Sequence, residues 1–110
     1  MRVLVIGESC KDIFIYGDAK RLSPEAPIPI IEPTHTIENK GMASNVQNNI
    51  EALGVDVDLI TNLEEIKKIR YVDDSYNYIL LRIDENDKVE SINNQSLNIE
   101  LDDYDSIIIV

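Results

Sequence analysis

The fold class is decided by residues 41–60, which read GMASNVQNNIEALGVDVDLI. The first part of this stretch repeats apolar side chains at helical spacing, at Ala43, Val46, Ile50 and Leu53. Gly54 then stands where a left-handed cap would end a helix. From residue 55 to residue 60, apolar residues alternate with aspartate, as in a half-exposed strand. The stretch therefore predicts a helix that is followed directly by a strand.

Apolar runs at the two ends of the chain extend this pattern. Residues 2–7, RVLVIG, form a continuous apolar run closed by glycine, which is typical of a strand buried on both faces of an α/β sheet. The order strand, helix, strand predicts an α/β fold. Residues 106–110, SIIIV, are again wholly apolar and predict a second buried strand. We expect the protein to continue beyond it, since a buried strand is an unusual place for a chain to stop.

The segment between the first strand and the helix predicts a series of short extended pieces. Residues 13–16 are a short apolar run, Gly17-Asp18 predicts a turn, and residues 23–27 predict a proline-fixed extended stretch. Residues 28–33 also look extended, but their prolines lack backbone N–H donors. This segment is therefore predicted to lie at a sheet edge or outside the main sheet.

In the second half of the chain, the sequence predicts one hairpin. Two apolar runs, at residues 69–72 and 78–83, flank the polar loop at 73–77, which favours a hairpin with a loop longer than two residues. Residues 85–105 are acidic with scattered apolar positions and carry no clear pattern.

The composition limits the classes of partner. A chain of 110 residues with 44% hydrophobic residues fits one globular domain. Its net charge of -11 repels polyanions, which argues against nucleic-acid or anionic-membrane binding. Cys10 is the only cysteine, so an internal disulfide is excluded, and no secretory or membrane-spanning pattern is present. We expect a cytoplasmic protein without a metal site.

Three residues are candidates for ligand binding. Asp12 follows the end of a strand, where open α/β sheets present binding groups, and its carboxylate can accept hydrogen bonds from a polyol. Gly41 and Asn45 lie at the helix entrance, where backbone N–H groups are free and glycine lets a ligand approach. The alternatives are that Asp12 is a solvated turn residue and that Ser44 or Asn45 is only a helix N-cap.

Longer motifs resemble a known family. Residues 17–30, GDAKRLSPEAPIPI, resemble the stretch after the first strand in heptose-7-phosphate kinases, a branch of the ribokinase-type (PfkB) carbohydrate kinases. Residues 41–46, GMASNV, resemble the first signature of the wider family, although Lys40 stands where a glycine is usual. Arg82-Ile83-Asp84 is similar to the end of the second lid hairpin in these kinases.

The resemblance implies a fold and a division of the chain. It implies the amino-terminal part of a ribokinase-like (Rossmann-like) three-layer sandwich with a small projecting β lid. The core would contain a strand at 2–7, a helix and strand at 43–60, and a terminal strand at 106–110. The lid would contain residues of about 12–33 and 69–84.

The resemblance also implies a substrate, cofactors and a partner. Asp12, Gly41 and Asn45 would bind the hydroxyls of a sugar or sugar phosphate, and Lys40 and Arg82 would contact a substrate phosphate or the lid. The catalytic aspartate and the site for ATP and Mg²⁺ are expected beyond residue 110. The chain alone is therefore expected to be inactive and to bind nucleotide poorly. A homodimer formed through the lid is expected as well.

Two other interpretations stay open at this point. The chain could be a non-catalytic, stand-alone module that binds sugar or dimerises through its lid strands. It could also be an unrelated small α/β domain in which the helix and strands are only core.

Overall fold

The computed structural model describes residues 1–88 and 100–110. The strands and the helix of these residues are β1 (Arg2–Ile6), β2 (Ser9–Leu22), β3 (Pro29–Met42), α1 (Ala43–Glu51), β4 (Asp56–Ile60), β5 (Ile66–Asp73), β6 (Tyr78–Glu85) and β7 (Ser106–Ile109). A single 3-10 turn, Leu101–Asp103, comes shortly before β7. Residues 89–99, about which the sequence predicts little, lie outside the described residues.

A three-stranded parallel sheet has β1 at its centre, in the order β4-β1-β7. Val3 is 5% exposed, and Leu4 and Val5 are fully buried, so the predicted buried strand is confirmed. Val3 and Val5 form a cluster with Ala43 of α1, and further apolar residues of α1, β4 and β7 pack against it. The predicted order of strand, helix and strand is confirmed, and with it the α/β class.

Two details of this three-stranded sheet differ from the sequence prediction. β7 is present, but it is an edge strand, and its Ile107 and Ile109 are exposed rather than buried. Leu53 is 80% exposed because α1 already ends at Glu51, before the apolar spacing does. Gly54 has φ of 82°, as the predicted left-handed cap requires.

A second, four-stranded sheet has the order β3-β2-β5-β6. β2 pairs antiparallel with β3 and parallel with β5, and β5 pairs antiparallel with β6. The predicted edge position of the proline-rich segment is confirmed, since it lies in the edge strand β3. The predicted hairpin is also confirmed as β5 and β6.

The predicted turn at Gly17-Asp18 is wrong. Both residues lie inside β2, at a point where the register with β3 shifts between Tyr16 and Gly17. A Cβ atom at Gly17 would meet the carbonyl oxygen of Glu32 at 2.6 Å, so the glycine lets β3 approach closely at this irregularity. The chain reverses instead at residues 23–28, where the Ser23 N–H donates to the Ile28 carbonyl at 2.8 Å. The proline-fixed stretch at 23–27 is therefore a reversal rather than an extended piece.

The molecule is elongated. Its principal extents are 62 × 30 × 16 Å and its radius of gyration is 18.6 Å, whereas a compact chain of this length would have a radius of about 13 Å. The buried apolar residues are accordingly few among those described, namely Val3, Leu4, Val5, Cys10, Ala43, Ile66 and Val72. The two sheets therefore join at one end rather than stack over a common core.

Candidate functional site

A cleft of about 500 Å³ lies where the two sheets join. Its wall includes residues from the start of β2, the end of β3, the first turn of α1 and the loop after β4: Ser9, Cys10, Asn39, Ser44, Asn62 and Glu65. Because β1 and β4 run parallel and both end here, the cleft lies at the carboxyl edge of the three-stranded sheet. Open α/β folds commonly bind ligands at that edge.

Hydrogen bonds from the Asn62 side chain hold the two sheets together beside the cleft. Its Oδ1 accepts from the backbone N–H of Ser9 at 2.7 Å, which connects the loop after β4 to the first residue of β2. Its Nδ2 donates to the carbonyl of Glu64. The base of β2 is therefore fixed relative to β4.

Gly41 and Asp12 are in close contact. Gly41 pairs with Cys10 across β2 and β3, and a Cβ atom at Gly41 would lie 2.5 Å from both Asp12 Oδ2 and Cys10 Sγ. No side chain fits at that distance, so glycine is required by space rather than by a positive φ. Burial, and then the Asp12 carboxylate, raise the pKa of the Cys10 thiol, which keeps it protonated in this setting.

Asp12 lies within β2, near its start, and is held by an ion pair. Arg70 Nη1 of β5 donates to Asp12 Oδ1 at 3.0 Å, and the two side chains are only 18% and 25% exposed, respectively. The Arg70 guanidinium also lies over the Phe14 ring, 5.1 Å from its centroid. The alternative of a solvated turn aspartate is therefore wrong. Arg70 bonds to Oδ1, and among the described residues Oδ2, on the Gly41 side, accepts no hydrogen bond.

Neither of the residues suggested as the N-cap of α1 holds that position. Met42 is the N-cap residue of α1, and it makes no capping hydrogen bond with its side chain. Ser44 and Asn45 lie inside the helix, so the alternative that either one is the N-cap is wrong. The Ser44 hydroxyl donates back to the Gly41 carbonyl at 2.7 Å. Met42 has φ of 58°, in the left-handed region that favours glycine, so this junction is strained beside the cleft.

The structure brings some of the predicted site residues together and leaves others apart. Asp12 and Gly41 are in contact, and their neighbours Cys10 and Asn39 line the cleft. Asn45 is exposed on the first turn of α1 next to Ser44, which also lines the cleft. Among the hydrogen bonds of the described residues, none joins Asn45 to Asp12. Neither Asp12 nor Asn45 is among the residues that line the cleft, whereas the predicted site residue Lys40 is.

The two predicted cations lie on opposite faces of the four-stranded sheet. Side chains alternate along a strand, and Asp12 is in register with Asn39, so Lys40 belongs to the other face. Arg82 belongs to the face of Asp12, because Arg70 is in register with Arg82. Arg82 makes two hydrogen bonds to the Asp84 carboxylate, at 2.8 and 3.2 Å. This pair raises the pKa of Arg82 and lowers the pKa of Asp84.

Sequence reasoning missed Arg70 as the partner of Asp12. The two residues are far apart in sequence and meet only because β2 and β5 pair in parallel with Asp12 opposite Lys68. A weak signal existed in the spacing of Lys68, Arg70 and Val72, since alternate residues of one strand share a face. The sequence alone does not indicate which strand that face adjoins.

Neither a metal centre nor a membrane span was found in the part of the chain that the structure describes. No group of three or more His, Cys, Asp or Glu residues at 1–88 and 100–110 could hold a metal ion. No helix in these ranges is long and apolar enough to cross a bilayer.

Solved structures with a similar arrangement of strands share little sequence with this chain. No family model matches the chain. The chain is similar in fold to a carbohydrate kinase from Agrobacterium tumefaciens, with a TM-score of 0.48 and 12% identity over 78% of this chain and 36% of that one. It is similar also to ribokinase from Cryptococcus neoformans, with a TM-score of 0.47 and 15% identity over 98% of this chain and 40% of that one. With TM-scores this low, no conclusion rests on these two structures.

Two relatives have similar sequences over about half of this chain. The chain is 50% identical over 52 residues to bifunctional protein HldE of Koribacter versatilis, which is 47% of this chain and 11% of that protein. It is 42% identical over 59 residues to D-beta-D-heptose 7-phosphate kinase of Bordetella bronchiseptica, which is 54% of this chain and 19% of that protein. The chain thus spans less than a fifth of the length of these relatives. The predicted resemblance to heptose-7-phosphate kinases is confirmed over the aligned residues.

Proposed function

We propose that this chain is the sugar-binding and lid portion of an ATP-dependent carbohydrate kinase similar to heptose-7-phosphate kinases. In the whole enzyme, the bound sugar phosphate would receive a phosphoryl group on one of its hydroxyls. The observation that carries the proposal is the contact between Asp12 and Gly41 next to the entrance of α1, in a chain 42% identical to a heptose 7-phosphate kinase over 59 residues.

The proposed binding uses a preorganised carboxylate. Arg70 fixes the Asp12 carboxylate through Oδ1, so Oδ2 can accept hydrogen bonds from sugar hydroxyls without a search for the right rotamer. Gly41 lets the Asp12 carboxylate pack against the end of β3, since any side chain there would collide with Asp12 Oδ2. Asn45, exposed on the first turn of α1, is proposed to donate from its side-chain amide to another hydroxyl of the same sugar.

ATP and Mg²⁺ are proposed as cofactors of the whole kinase rather than of the residues described. Neither a metal-binding cluster nor a glycine-rich phosphate loop is formed by residues 1–88 and 100–110. The role proposed for the described residues is therefore to bind and orient the sugar. We assign no step of phosphoryl transfer to them.

The test is a titration of the ¹⁵N-labelled chain with D-glycero-D-manno-heptose 7-phosphate, followed by NMR. We expect weak binding, with the largest shifts at the backbone amides of Asp12, Gly41 and Asn45, and no detectable ATP turnover. Asp12→Asn should remove these shifts, whereas the control Asp18→Asn, farther along β2, should leave them unchanged. Shifts confined to other parts of the chain would overturn the proposed sugar site. Robust ATP turnover by the chain would overturn the binding-only role.

A second proposal concerns a homodimer formed through the four-stranded sheet. The sheet face opposite Asp12 carries an apolar groove of about 430 Å³, lined by Ile28, Pro29, Ile31, Tyr71, Leu80, Leu81 and Ile83. Exposed apolar side chains on this scale favour association, and pairing of two such faces would remove them from water. A non-catalytic role is not favoured over the kinase by this face, since a kinase subunit could dimerise through it equally well.

Sedimentation of the chain tests the homodimer. We expect a dimer for the unchanged chain and a monomer for Ile83→Asp, because a buried unpaired carboxylate would oppose association. Leu63→Asp is the matched control, since Leu63 is 94% exposed and does not line the groove. A monomer at all concentrations for the unchanged chain would contradict this proposal.

A further inference from the structure

The proposed sugar ligands belong to two different sheets. Asp12 lies on β2 of the four-stranded sheet, whereas Asn45 lies on α1, which packs against the three-stranded sheet. In the part of the chain that the structure describes, no hydrogen bond joins these two side chains. One sugar can therefore contact both of them only while the two sheets keep a fixed angle to each other.

The chain crosses between the sheets at three junctions within residues 1–66. β1 leads into β2 at residues 7–8, β3 leads into α1 at residues 42–43, and β4 leads into β5 at residues 61–65. The Ala43 N–H donates to the Glu8 carbonyl at 3.0 Å, which joins the first two junctions through their backbones. The third junction contacts the start of β2 through two of its side chains. These contacts together set the angle between the sheets.

The side chain of Asn62 makes the shortest of these contacts. Its Oδ1 accepts from the backbone N–H of Ser9 at 2.7 Å. Its Nδ2 donates to the Glu64 carbonyl of its own loop, so the amide is oriented towards Ser9. The Thr61 hydroxyl supports the contact, since its oxygen lies 2.8 Å from Ser9 Oγ and 3.0 Å from Asn62 Oδ1. Without Asn62, the partly buried N–H of Ser9 would lose its acceptor, which is costly.

Ser9 is close enough to the proposed site to control its position. Asp12 follows it by three residues, or about 10 Å along the strand. Just beyond Ser9, Cys10 is paired with the buried Ile66, which joins β2 to β5. Arg70 of β5 is bonded in turn to Asp12. A change of direction at Ser9 would therefore move Asp12 and Arg70 together, relative to α1.

We propose that Asn62 is a positioning residue for the sugar, which sets the separation of Asp12 and Asn45 by holding Ser9. This inference rests on the proposed function and extends it to a residue that binds no hydroxyl itself. Without the Asn62 side chain, the angle between the sheets would vary. Only the fraction of molecules with the correct angle would then bind, and the apparent affinity would fall by that fraction.

A direct contact between Asn62 and a ligand is the competing role, because Asn62 also lines the cleft. Oδ1 already accepts from Ser9 and Nδ2 already donates to Glu64, so a ligand would have to use the second N–H of Nδ2. Asn62→Asp separates the two roles. It keeps an acceptor for the N–H of Ser9 and removes both N–H donors of the amide.

The experiment measures the angle between the sheets and the affinity for sugar in the same ¹⁵N-labelled samples. Residual dipolar couplings of the amides of β1 and β4, compared with those of β2 and β5, give the angle. Titration with heptose 7-phosphate gives the affinity. The variants are Asn62→Ala and Asn62→Asp, with Thr61→Val as a milder change that removes only the hydroxyl contact to Ser9.

Asn48→Ala is the matched control. Asn48 is exposed on α1, and among the hydrogen bonds of residues 1–88 and 100–110 none involves its side chain. Dispersed amide signals show that each variant is folded. If Asn62→Ala does not fold, Thr61→Val carries the test, with a smaller effect expected in the same direction.

We expect the couplings of Asn62→Ala to depart from the angle of the unchanged chain, and its affinity for heptose 7-phosphate to fall by about tenfold. Asn62→Asp and Asn48→Ala should keep the angle, and their affinities should stay within about twofold. Couplings of Asn62→Ala that fit the original angle would overturn the proposal. An equal loss of affinity in Asn62→Asp and Asn62→Ala would overturn it too.

The positioning role and the proposed function fail in different ways. If the unchanged chain and Asn62→Ala bind heptose 7-phosphate equally well at Asp12, the sugar site stands and the positioning role is wrong. If the angle changes in Asn62→Ala but heptose 7-phosphate shifts no amide near Asp12 in the unchanged chain, the proposed function is wrong. The role of Asn62 in sugar binding is then wrong with it.

Discussion

The two sheets of this molecule use their side chains in opposite ways. In the three-stranded sheet, β1 is buried along Val3, Leu4 and Val5, and α1 covers one side. In the four-stranded sheet, β6 is exposed along its whole length, with a charged face on one side and an apolar groove on the other. The three-stranded sheet is thus packed along its central strand, whereas β6 leaves both of its faces exposed.

The largest effect expected from this contrast is on stability. Leu4→Ala removes a fully buried side chain at the centre of the three-stranded sheet, and should lower the free energy of unfolding by about 2–5 kcal/mol. Ile79→Ala is its counterpart on β6, where Ile79 is 59% exposed, and should change that free energy by less than about 1 kcal/mol. Urea denaturation followed by circular dichroism measures both. Equal losses would show that the two sheets share one core after all.

Replacing Gly41 and replacing Gly54 by alanine should each destabilise the fold, but for different reasons. Gly41→Ala would force Asp12 and Cys10 apart, with an expected cost of about 1–3 kcal/mol from overpacking. Gly54→Ala meets no atom within 4 Å but places alanine at φ of 82°, with an expected cost of about 1–2 kcal/mol. Only Gly41→Ala should also shift the NMR signals of Asp12 and Arg70. If Gly54→Ala shifts them as strongly, the contact at Gly41 is not specific to the site.

The reactivity of the Cys10 thiol depends on the charge of the neighbouring Asp12. Its raised pKa means that less thiolate is present near pH 8 than for a free cysteine, so alkylation by iodoacetamide should be slow in the folded chain. Asp12→Asn removes a negative charge that raises this pKa, so it should increase the rate. Alkylation in urea gives the rate for the unfolded chain. A slower reaction in Asp12→Asn than in the unchanged chain would contradict the proximity of these two groups.

The smallest effect expected concerns a surface network on the three-stranded sheet. The Tyr104 hydroxyl and Arg2 both donate to Asp58 Oδ2, at 2.6 and 2.8 Å, and they lower the pKa of Asp58. A lowered pKa stabilises the fold above the ordinary aspartate pKa of about 3.9, and this contribution is lost as the pH falls through the folded value.

Asp58→Asn should therefore reduce the free energy of unfolding at pH 7 by less than about 1 kcal/mol, since the group is exposed to solvent. The difference from the unchanged chain should shrink as the pH falls below about 4. Asp56→Asn, on the same strand, is the control. Urea denaturation at both pH values checks this, and a difference that grows in acid would contradict the sign.

Local patterns predicted the local parts of the fold. β1, α1 with β4, and the hairpin of β5 and β6 each follow from a periodicity within a few residues. The length of β2 and its parallel pairing with β5 did not follow, because both depend on segments distant in the chain. For the same reason Gly17-Asp18 looked like a turn, although pairing with β3 keeps it within a strand.

The candidate site shows the same limit. Asp12 and Gly41 were indicated by their positions next to a strand end and a helix start, and they do meet. The partner of Asp12 was not indicated, since the meeting of Asp12 with Arg70 depends on the register between β2 and β5. That register is set by packing and by the ladder of backbone hydrogen bonds, which no short motif encodes.

The length of β2 has a mechanical consequence. Its 14 residues make an arm of about 43 Å at roughly 3.3 Å per residue, anchored at Ser9 by Asn62. A rotation of about five degrees at this anchor would move the tip near Leu22 through about 4 Å. A small change of angle at this end of the strand would thus be amplified at the far end. The hydrogen bonds of Ser9 with Asn62 and Thr61, and of Glu8 with Ala43, oppose such a change.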